Sequence, residues 1–248
     1  MKYINKKNLS KFVINLLMVC CGVTLVACGI SLFYALNIGS DPISVFVDGQ
    51  HRIFGVSYGI INLMNSIVYL AFIFLFSRKQ IRLATLISGV GLGPLINLFT
   101  ELLSRWITPK GSFTLQWIWG KGMVVIPPNG DYILRFALLF PAVVLLGFGL
   151  GLYLSANMGA SPVDAVVIFI SEKLDRPLKK VKVGFDFSVA LLGFLLGGVT
   201  GMGTIIGIIL TGPMIAYSIK IIDSWKKKSS SPDKNIKFVK ENEGQAMA

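Results

Sequence analysis

The stretch Asn37-Ile38-Gly39-Ser40-Asp41-Pro42 decides the fold, because it occurs twice in the chain. It returns 120 residues later as Asn157-Met158-Gly159-Ala160-Ser161-Pro162, and each copy follows a long apolar run. A second pair, TLISGVGLGP at 85–94 and TIIGIILTGP at 204–213, is displaced by 119 residues. Sequence similarity at a constant spacing indicates repeated structural units. The sequence therefore predicts two related halves.

Composition indicates that both halves lie in a membrane. Hydrophobic residues make up 54% of the chain and charged residues 15%, whereas a soluble domain carries about 25% charged residues. A helix needs roughly 20 apolar residues to cross a bilayer. Tracts with few charges predict an all-α, polytopic membrane protein with six spans, at 12–36, 58–77, 83–104, 132–156, 183–199 and 202–222. A glycine-rich turn near residue 200 separates the last two spans.

The net charge of +12 indicates the topology rather than a nucleic-acid partner. With these six spans, 19 Lys and Arg residues lie on the side of the termini and five lie on the other side. Cytoplasmic loops are enriched in Lys and Arg, so both termini are expected in the cytoplasm and the protein in the plasma membrane. The loop at 37–57 holds one such residue and its counterpart at 157–182 holds five. Equivalent loops of the two related halves therefore lie on opposite sides of the membrane, which predicts inverted three-span repeats.

This topology divides the chain into four segments. The first repeat covers 1–104, an extracytoplasmic insert covers 105–131, and the second repeat covers 132–225. Within the insert, two short β-prone runs on either side of Gly120-Lys121-Gly122 predict a hairpin. The last segment, 226–248, is predicted to be a disordered cytoplasmic tail.

Each copy of the repeated motif predicts a broken helix. Glycine frees the backbone from helical geometry, Asp and Ser are preferred N-caps, and proline is favoured at the first helical position. The restarted segments, 43–49 and 163–172, are too short to cross, so we expect re-entrant or interfacial half-helices. Their N-termini would suit a small anionic or polar solute; alternatively, each break is only a capped corner. The candidate binding residues are Asn37, Gly39, Ser40, Asp41, Pro42, Asn157, Gly159, Ser161, Pro162 and Asp164, the last of which could complete a capping box.

Polar residues inside the spans are further candidates. Asn62 and Asn65 share a helix face, either as solute ligands or as interhelical hydrogen-bond partners. Asp186 lies near the cytoplasmic start of the fifth span, where it is either a proton or cation coupling site or a group that reaches water. The remaining candidates are the hydroxyl groups of Thr85, Thr204 and Thr211 and the helix kinks at Pro94 and Pro213. Close crossing of the two first helices is expected at Gly29 and Gly149.

Enzyme chemistry is not expected from this sequence. The chain has one histidine, His51, which falls in a predicted loop. The predicted spans contain no Ser/His pair and no cluster of metal-ligating side chains. We therefore predict no catalytic residue, no metal site and no cofactor.

Two longer patterns resemble a known family. Gly-x-Gly-Leu-x-Leu-x-x-Asn-x-Gly-x-x-Pro-x-Asp, from Gly149 to Asp164, and Gly-x-Gly-Thr followed by seven residues and Gly-Pro, from Gly201 to Pro213, are similar to motifs of the bacterial YczE/YitT-like integral membrane proteins. The resemblance covers about 22–103 and 140–222; the insert at 105–131 is longer than the family suggests, and Leu83-Ala84-Thr85 replaces the second copy's Met202-Gly203-Thr204. The resemblance implies a duplicated membrane architecture and says little about activity.

Two functional hypotheses fit these features. The first is a small-solute transporter or permease in which two inverted halves rock around a site near the middle of the bilayer. The second is a non-transporting accessory or regulatory protein, or a solute-binding subunit of a larger membrane complex. In either case the lipid bilayer is the expected environment, with a homodimer or a membrane protein as the expected partner.

Overall fold

The structure is a computed structural model that describes residues 6–104, 113–116, 123–126 and 132–230. Most of these residues are helical. The helices are α1 (Lys6–Leu36), α2 (Pro42–Phe54), α3 (Tyr58–Phe76), α4 (Leu83–Ser104), α5 (Tyr132–Ser155), α6 (Pro162–Leu174), α7 (Leu178–Leu195) and α8 (Met202–Ser230). A 3-10 turn at Arg78–Gln80 precedes α4. Three short strands, β1 (Phe113–Gln116), β2 (Met123–Ile126) and β3 (Val199–Thr200), complete the described elements.

Five of these helices are long and apolar enough to cross a membrane, so the chain is a multi-pass membrane protein. Their apolar segments are Leu9–Leu36, Tyr58–Phe76, Leu83–Leu103, Arg135–Ser155 and Met202–Lys226. The predicted fifth span, 183–199, is the exception. The corresponding helix, α7, begins earlier, at Leu178, and ends earlier, at Leu195. Its first turns therefore include Lys180, Lys182 and Asp186, and these charges lower its mean hydropathy.

Helices α2 and α8 continue beyond their predicted ends. Helix α2 continues beyond residue 49 to Phe54, where Gly55 adopts a left-handed conformation that ends the helix. Helix α8 continues through the lysines after Trp225 to Ser230, because lysine is a good helix former and suits a helix C-terminus. The predicted tail therefore begins with a helical turn, and its remainder, 231–248, lies outside the described residues.

The predicted all-α class is confirmed, and a small three-stranded sheet accompanies the helices. Strands β1 and β2 pair antiparallel, with Phe113 opposite Ile126, which is the predicted hairpin. Strand β2 also pairs parallel to β3, with Met123 opposite Val199. Since β3 lies in the turn between α7 and α8, the sheet joins the insert to that turn.

The core lies where α1 crosses α5, and glycines allow the two helices to touch. A Cβ on Gly29 would overlap the backbone of Leu146 and contact that of Ala142. A Cβ on Gly149 would overlap the backbone of Gly22 and Val26. Adding 120 to 29, 22 and 26 yields 149, 142 and 146, so each contact has a counterpart in the other half. The crossing predicted at Gly29 and Gly149 is confirmed.

The other helix contacts also occur twice, once for each half. In the first half α1 packs on α4, and in the second half α5 packs on α8. Helix α2 packs on α7, and α6 packs on α3. One pair breaks this pattern: α3 packs along α4, whereas α7 and α8 have no comparable packing within the described residues.

The C-terminal ends of the two first helices are capped by cations from elsewhere in the chain. Arg135 is buried and donates from a guanidinium nitrogen to the Leu36 carbonyl, at 3.2 Å. The Lys226 ammonium donates to the Ser155 carbonyl at the end of α5. A cation at a helix C-terminus satisfies carbonyls that have no intrahelical partner. The C-terminal ends of α1 and α5 are therefore held in the same way.

Candidate functional site

The two copies of the motif form nearly identical corners, which we call the first corner (37–41) and the second corner (157–161). Asn37 and Asn157 have φ values of 51° and 54°, and Gly39 and Gly159 have φ values of 96° and 129°. These are left-handed conformations, which Asn and Gly tolerate best. Each corner then ends on an extended N-cap residue that starts a short helix.

Each corner docks on the N-terminus of the last helix of the other half. The Gly203 N–H donates to the Ile38 carbonyl at 2.9 Å, and the Ala84 N–H donates to the Met158 carbonyl at 3.1 Å. The second repeated stretch of the sequence, at 85–94 and 204–213, therefore begins at the same interface that the first repeated stretch forms. The two motifs form one interface that is used twice.

Thr85 and Thr204 are structural at these interfaces. The Thr204 hydroxyl accepts from the Gly201 N–H and the Thr85 hydroxyl accepts from the Arg82 N–H, each at 3.3 Å. Each threonine thereby caps its own helix. A Cβ on Gly39 would overlap the Thr204 hydroxyl, so glycine is required there for close approach as well as for φ. The geometry favours packing over solute contact for both threonines.

Both half-helix N-termini are already capped. Asp41 accepts from the Ser44 N–H through Oδ2 at 3.3 Å. Ser161 accepts from the Asp164 N–H at 3.1 Å, and its hydroxyl donates to Asp164 Oδ2 at 2.7 Å. Carboxylates thus lie at both positions where an anion would bind. The expectation of an anionic solute at these N-termini is not supported by this arrangement.

The prolines of both motifs lie at the first helical positions, Pro42 in α2 and Pro162 in α6, as the sequence predicts. Pro162 also lies against the position of Gly89 in α4. Ser40, within the first corner, is buried. Pro94 and Pro213 lie inside α4 and α8, and both helices continue through them.

Four charged side chains interact with one another, and we call Asp41, Asp186, Lys182 and Asp164 the charged row. The Lys182 Nζ lies 3.1 Å from Asp186 Oδ1 and 3.3 Å from Asp164 Oδ1. Asp41 interacts electrostatically with Lys182 and with Asp186. The row brings together Asp41 and Asp164, from the two motifs, with the predicted coupling residue Asp186. Lys182 was missed because its charge was attributed to topology alone.

Asp186 lies well inside its helix, whereas Asp41 and Asp164 lie at the N-terminal ends of α2 and α6. Asp186 is eight residues beyond the start of α7 at Leu178, about 12 Å along the axis. The side chains of Asp164, Lys182 and Asp186 are 29%, 36% and 26% exposed. Charged groups at membrane depth face a protein interior or a water-filled cavity. The neighbouring protein therefore covers most, but not all, of each of these three side chains.

A second polar cluster lies beside the first corner and was not anticipated from the sequence. Asp48 is 4% exposed and accepts from the Tyr58 hydroxyl at 3.1 Å, from Arg52 Nε at 3.1 Å and from the Val199 N–H at 2.7 Å. Tyr34 and His51 stack on the Tyr58 ring. The sequence prediction placed Asp48 in the half-helix 43–49 without a role, and only the packing of α2 shows that it faces the interior.

A cavity of about 10 Å³ lies between this cluster and the first corner, which is room for about one water molecule. Its polar lining is provided by Tyr34, Asn37, Ser40, Asp48 and Tyr58. In the second half, the position 120 residues after Asp48 is Ile168. The second half therefore has no counterpart of the Asp48 carboxylate.

The remaining sequence candidates are not assembled around the charged row by any described contact. Asn65 exchanges two hydrogen bonds with Gln50, at 3.2 and 2.6 Å, which is the interhelical role considered for it. Asn62 is buried, and its Oδ1 has no hydrogen-bond partner among the described residues. The hydroxyl oxygen of Thr211 is likewise buried without a described partner. Within the described residues, no group of three or more His, Cys, Asp or Glu side chains is arranged to hold a metal ion.

Comparison with known proteins places this architecture in a family. The chain is 28% identical over 199 residues to "Uncharacterized membrane protein YczE" of Bacillus subtilis (strain 168), which covers 80% of this chain and 82% of that protein. It is 32% identical over 133 residues to an "Uncharacterized protein" of Haemophilus influenzae, covering 54% and 55% of the two chains. It is 20% identical over 202 residues to "Uncharacterized protein YyaS" of Bacillus subtilis, covering 82% and 90%. No solved structure matches the chain.

The family match includes both corners and all of the charged row. Residues 13–220 match the family of unknown function DUF6198. This span begins within α1 and ends within α8, so it contains both halves of the chain. The resemblance to YczE-like membrane proteins noted from the motifs is thereby confirmed. The chain belongs to the DUF6198 family and is a YczE-like, multi-pass membrane protein.

Proposed function

We propose that this protein is a small-solute transporter whose two halves are inverted repeats of three spans each. Alternating access would arise when the halves rock around the charged row. In this proposal helix α7 also spans the membrane, which brings the number of spans to six, and its charged residues face a water-filled cleft between the halves and not the lipid. Both termini are cytoplasmic, in agreement with the positive-inside rule.

The paired contacts support an inverted duplication. At the α1–α5 crossing, each contact made by a residue of α1 is repeated by the equivalent residue of α5, as at an interface between symmetry-related subunits. The two corners dock on each other's last helix through equivalent hydrogen bonds. An odd number of spans per half places the second half in the opposite orientation, so these relations are those of a two-fold axis in the membrane plane.

The single observation that carries the proposal is the difference between the α3–α4 and α7–α8 hairpins. The Gly59 N–H donates to Asn97 Oδ1 at 2.8 Å, and a Cβ on Gly93 would overlap the Gly59 carbonyl. Adding 119 to 93 identifies Gly212 as its counterpart, and Gly212 has open space around its Cβ position. One hairpin is closed and the equivalent hairpin is open.

This difference has a direction in the proposed topology. Helices α7 and α8 are joined at their extracytoplasmic ends, so the gap between them opens toward the cytoplasm. Helices α3 and α4 are joined on the cytoplasmic side and closed at Gly59 and Gly93, on the opposite side. The structure then corresponds to an inward-open state. Exchanging the two hairpin conformations would produce an outward-open state, which is what alternating access requires.

Double-cysteine variants test this proposal without knowledge of the solute. Cys20, Cys21 and Cys28 are free thiols and are first replaced by serine. The pair Ser66→Cys and Gly89→Cys reports the closed α3–α4 hairpin, because a Cβ on Gly89 would lie 3.8 Å from that of Ser66, a typical spacing for a disulfide. The pair Gly184→Cys and Gly212→Cys reports closure of α7 on α8, since both glycines now face open space.

The expected result is that the two disulfides exclude each other in a protein that carries both pairs. Either disulfide alone should stop uptake in a liposome screen of small polar solutes. If both disulfides form together to completion, the two hairpins do not alternate and the transporter proposal is wrong.

The second hypothesis, a non-transporting accessory protein or a subunit of a larger complex, is favoured by one observation. Only 11% of the apolar window of α8 is buried, against 28–56% for the other four candidate spans. A partner, or a second copy of this chain, would cover that face. Copurification of a stoichiometric membrane partner, with no uptake of any solute tested, would favour this function. Neither hypothesis assigns catalysis to the protein.

A further inference from the structure

We infer that the solute bound at the charged row carries a primary ammonium group, an inference that rests on the transporter proposed above. The row contains three carboxylates, from Asp41, Asp164 and Asp186, and one ammonium, from Lys182. A partly buried group of this composition has an excess of negative charge. A cationic ligand would balance that excess, whereas an anion would increase it.

An unpartnered oxygen is the independent observation that points to a missing ligand. Asp41 uses Oδ2 to cap α2, but its Oδ1 is buried and has no hydrogen-bond partner among the described residues. Buried carboxylate oxygens are normally paired, and an unpaired one is costly. Asp41 Oδ1 therefore lacks a donor in this state.

A second buried oxygen without a described partner lies on α8, which passes close to the start of α2. The position of Gly207 in α8 is in van der Waals range of the Asp41 backbone. Thr211 is four residues further along and shares that helix face. The Thr211 hydroxyl oxygen is also buried without a described partner. Two buried oxygens without described partners, Asp41 Oδ1 and Thr211 Oγ1, therefore lie on neighbouring elements.

Lys182 shows which kind of cation this row binds. Its Nζ lies within 3.3 Å of two carboxylates, so the chain already places one ammonium among them. An ammonium has three N–H donors that can satisfy several acceptors at once. The absence of a metal-holding group among the described residues favours a polyatomic cation with N–H donors over a bare metal ion. Lys182 would compete with such a solute for Asp186.

Thermal unfolding of the full-length protein in detergent tests this inference with methylammonium chloride as the probe. The comparators, at equal ionic strength, are tetramethylammonium chloride, which has the charge without N–H donors, and sodium acetate, which supplies a carboxylate. Near saturation we expect methylammonium to raise Tm by about 5 °C. The comparators should leave Tm unchanged.

Two aspartate variants locate the effect. Asp41→Asn keeps an N-cap of equal quality and removes the charge, so the methylammonium shift should disappear while the protein stays folded. Asp175→Asn is the matched control: this exposed residue ends α6 in a left-handed conformation that Asn also tolerates. That variant should retain the full shift. Lys182→Met should lower the methylammonium concentration needed for half the shift by roughly tenfold, because the competing ammonium is gone.

Three outcomes would overturn the inference: no shift with methylammonium, an equal shift with acetate, or an undiminished shift in Asp41→Asn. These measurements are made without transport. If the cysteine pairs exclude each other but methylammonium does not bind, the transporter remains supported and the ammonium solute is wrong. If methylammonium binds but both disulfides form together, the row is a binding site in a protein that does not alternate.

Discussion

The two halves of this protein share a backbone plan but differ in how their hairpins close. Their corners have the same φ pattern, the same N-cap and proline arrangement and equivalent docking contacts. Yet α3 and α4 touch through Gly59 and Gly93, while Gly212 of α8 faces open space. The repeated residues specify the corner, and the residues outside the motifs determine which hairpin is closed.

A second difference lies beside the corners. The first corner is tied to the α7–α8 turn by the Asp48 carboxylate, which binds the Val199 N–H in the interior. Beside the second corner, the polar contacts of α6 with the turn before α4 are exposed: Glu172 accepts from Gln80 at 3.1 Å and lies 3.4 Å from Lys79. Exposed pairs contribute little, so the first corner is the more firmly held.

The largest effect is expected from alanine at the corner glycines. Gly39→Ala places a Cβ against Thr204 and the backbone of Gly201 at a φ of 96°, and should reduce the free energy of unfolding by about 3 kcal/mol. Gly159→Ala should cost somewhat less, because its Cβ would lie 2.7 Å from Arg82 Cβ and 3.0 Å from the Thr85 hydroxyl, a smaller overlap than at Gly39. Gly55→Ala is the control, since its φ is also positive but its surroundings are open; about 1 kcal/mol is expected there. Equal losses at all three, measured by denaturant unfolding in detergent, would contradict the docking role of the first corner.

Removing the Asp48 charge should have the next largest effect. Asp48→Asn weakens charge-assisted bonds to Arg52 and the Val199 N–H, and we expect a loss of about 2 kcal/mol. Because this tie holds the first corner, the variant should also increase formation of the Gly184→Cys/Gly212→Cys disulfide. Ile168→Val, at the equivalent position of the second half, is the control. Unchanged cross-linking in Asp48→Asn would show that the tie does not bias the two states.

The equivalent hairpin glycines should respond in opposite directions. Gly93→Ala overlaps the Gly59 carbonyl and should destabilise the protein by about 1–2 kcal/mol. Gly212→Ala enters open space and should stabilise it by about 0.5 kcal/mol through helix propensity, while hindering closure of α7 on α8. A loss of the same size at both positions would indicate that α8 is already packed at Gly212.

The smallest effect is expected from exchanging the caps. Asp41→Ser combined with Ser161→Asp leaves an N-cap at both half-helices, and the stability should change by less than about 1 kcal/mol. The ammonium response should nevertheless weaken, because the carboxylate moves from α2 to α6. A change in stability as large as that of Gly39→Ala would mean that Asp41 has a packing role beyond capping.

Much of the fold was predictable because its signals are local. The helix breaks follow from glycine and proline at Gly39, Pro42, Gly159 and Pro162, and five spans follow from hydropathy. Helix α7 was misplaced because its first turns carry charges that pair with one another and with Asp164 instead of with water. Hydropathy counts such charges without regard to their partners.

The candidate site was predictable only in part. Asp41, Asp164 and Asp186 were recognised as polar residues in unusual positions, but their proximity, and the participation of Lys182 between them, depend on how α2, α6 and α7 pack. Thr85 and Thr204 were predicted to be ligands. Nothing in a single sequence shows that their hydroxyl groups bind backbone N–H groups at helix N-termini and lie against Gly159 and Gly39. Asp48 had no sequence signal beyond its charge.

The sequence by itself determined that this protein lies in a membrane, that it consists of two related halves, and where each half bends. Those properties depend on hydropathy, on spacing and on the conformational limits of glycine and proline, which act within a few residues of the chain. Only the tertiary structure decided which charges meet in the interior and which hairpin is closed. Both depend on contacts between helices more than 100 residues apart in the chain. Packing and ion pairing determine which of these contacts form, and no local sequence pattern predicts them.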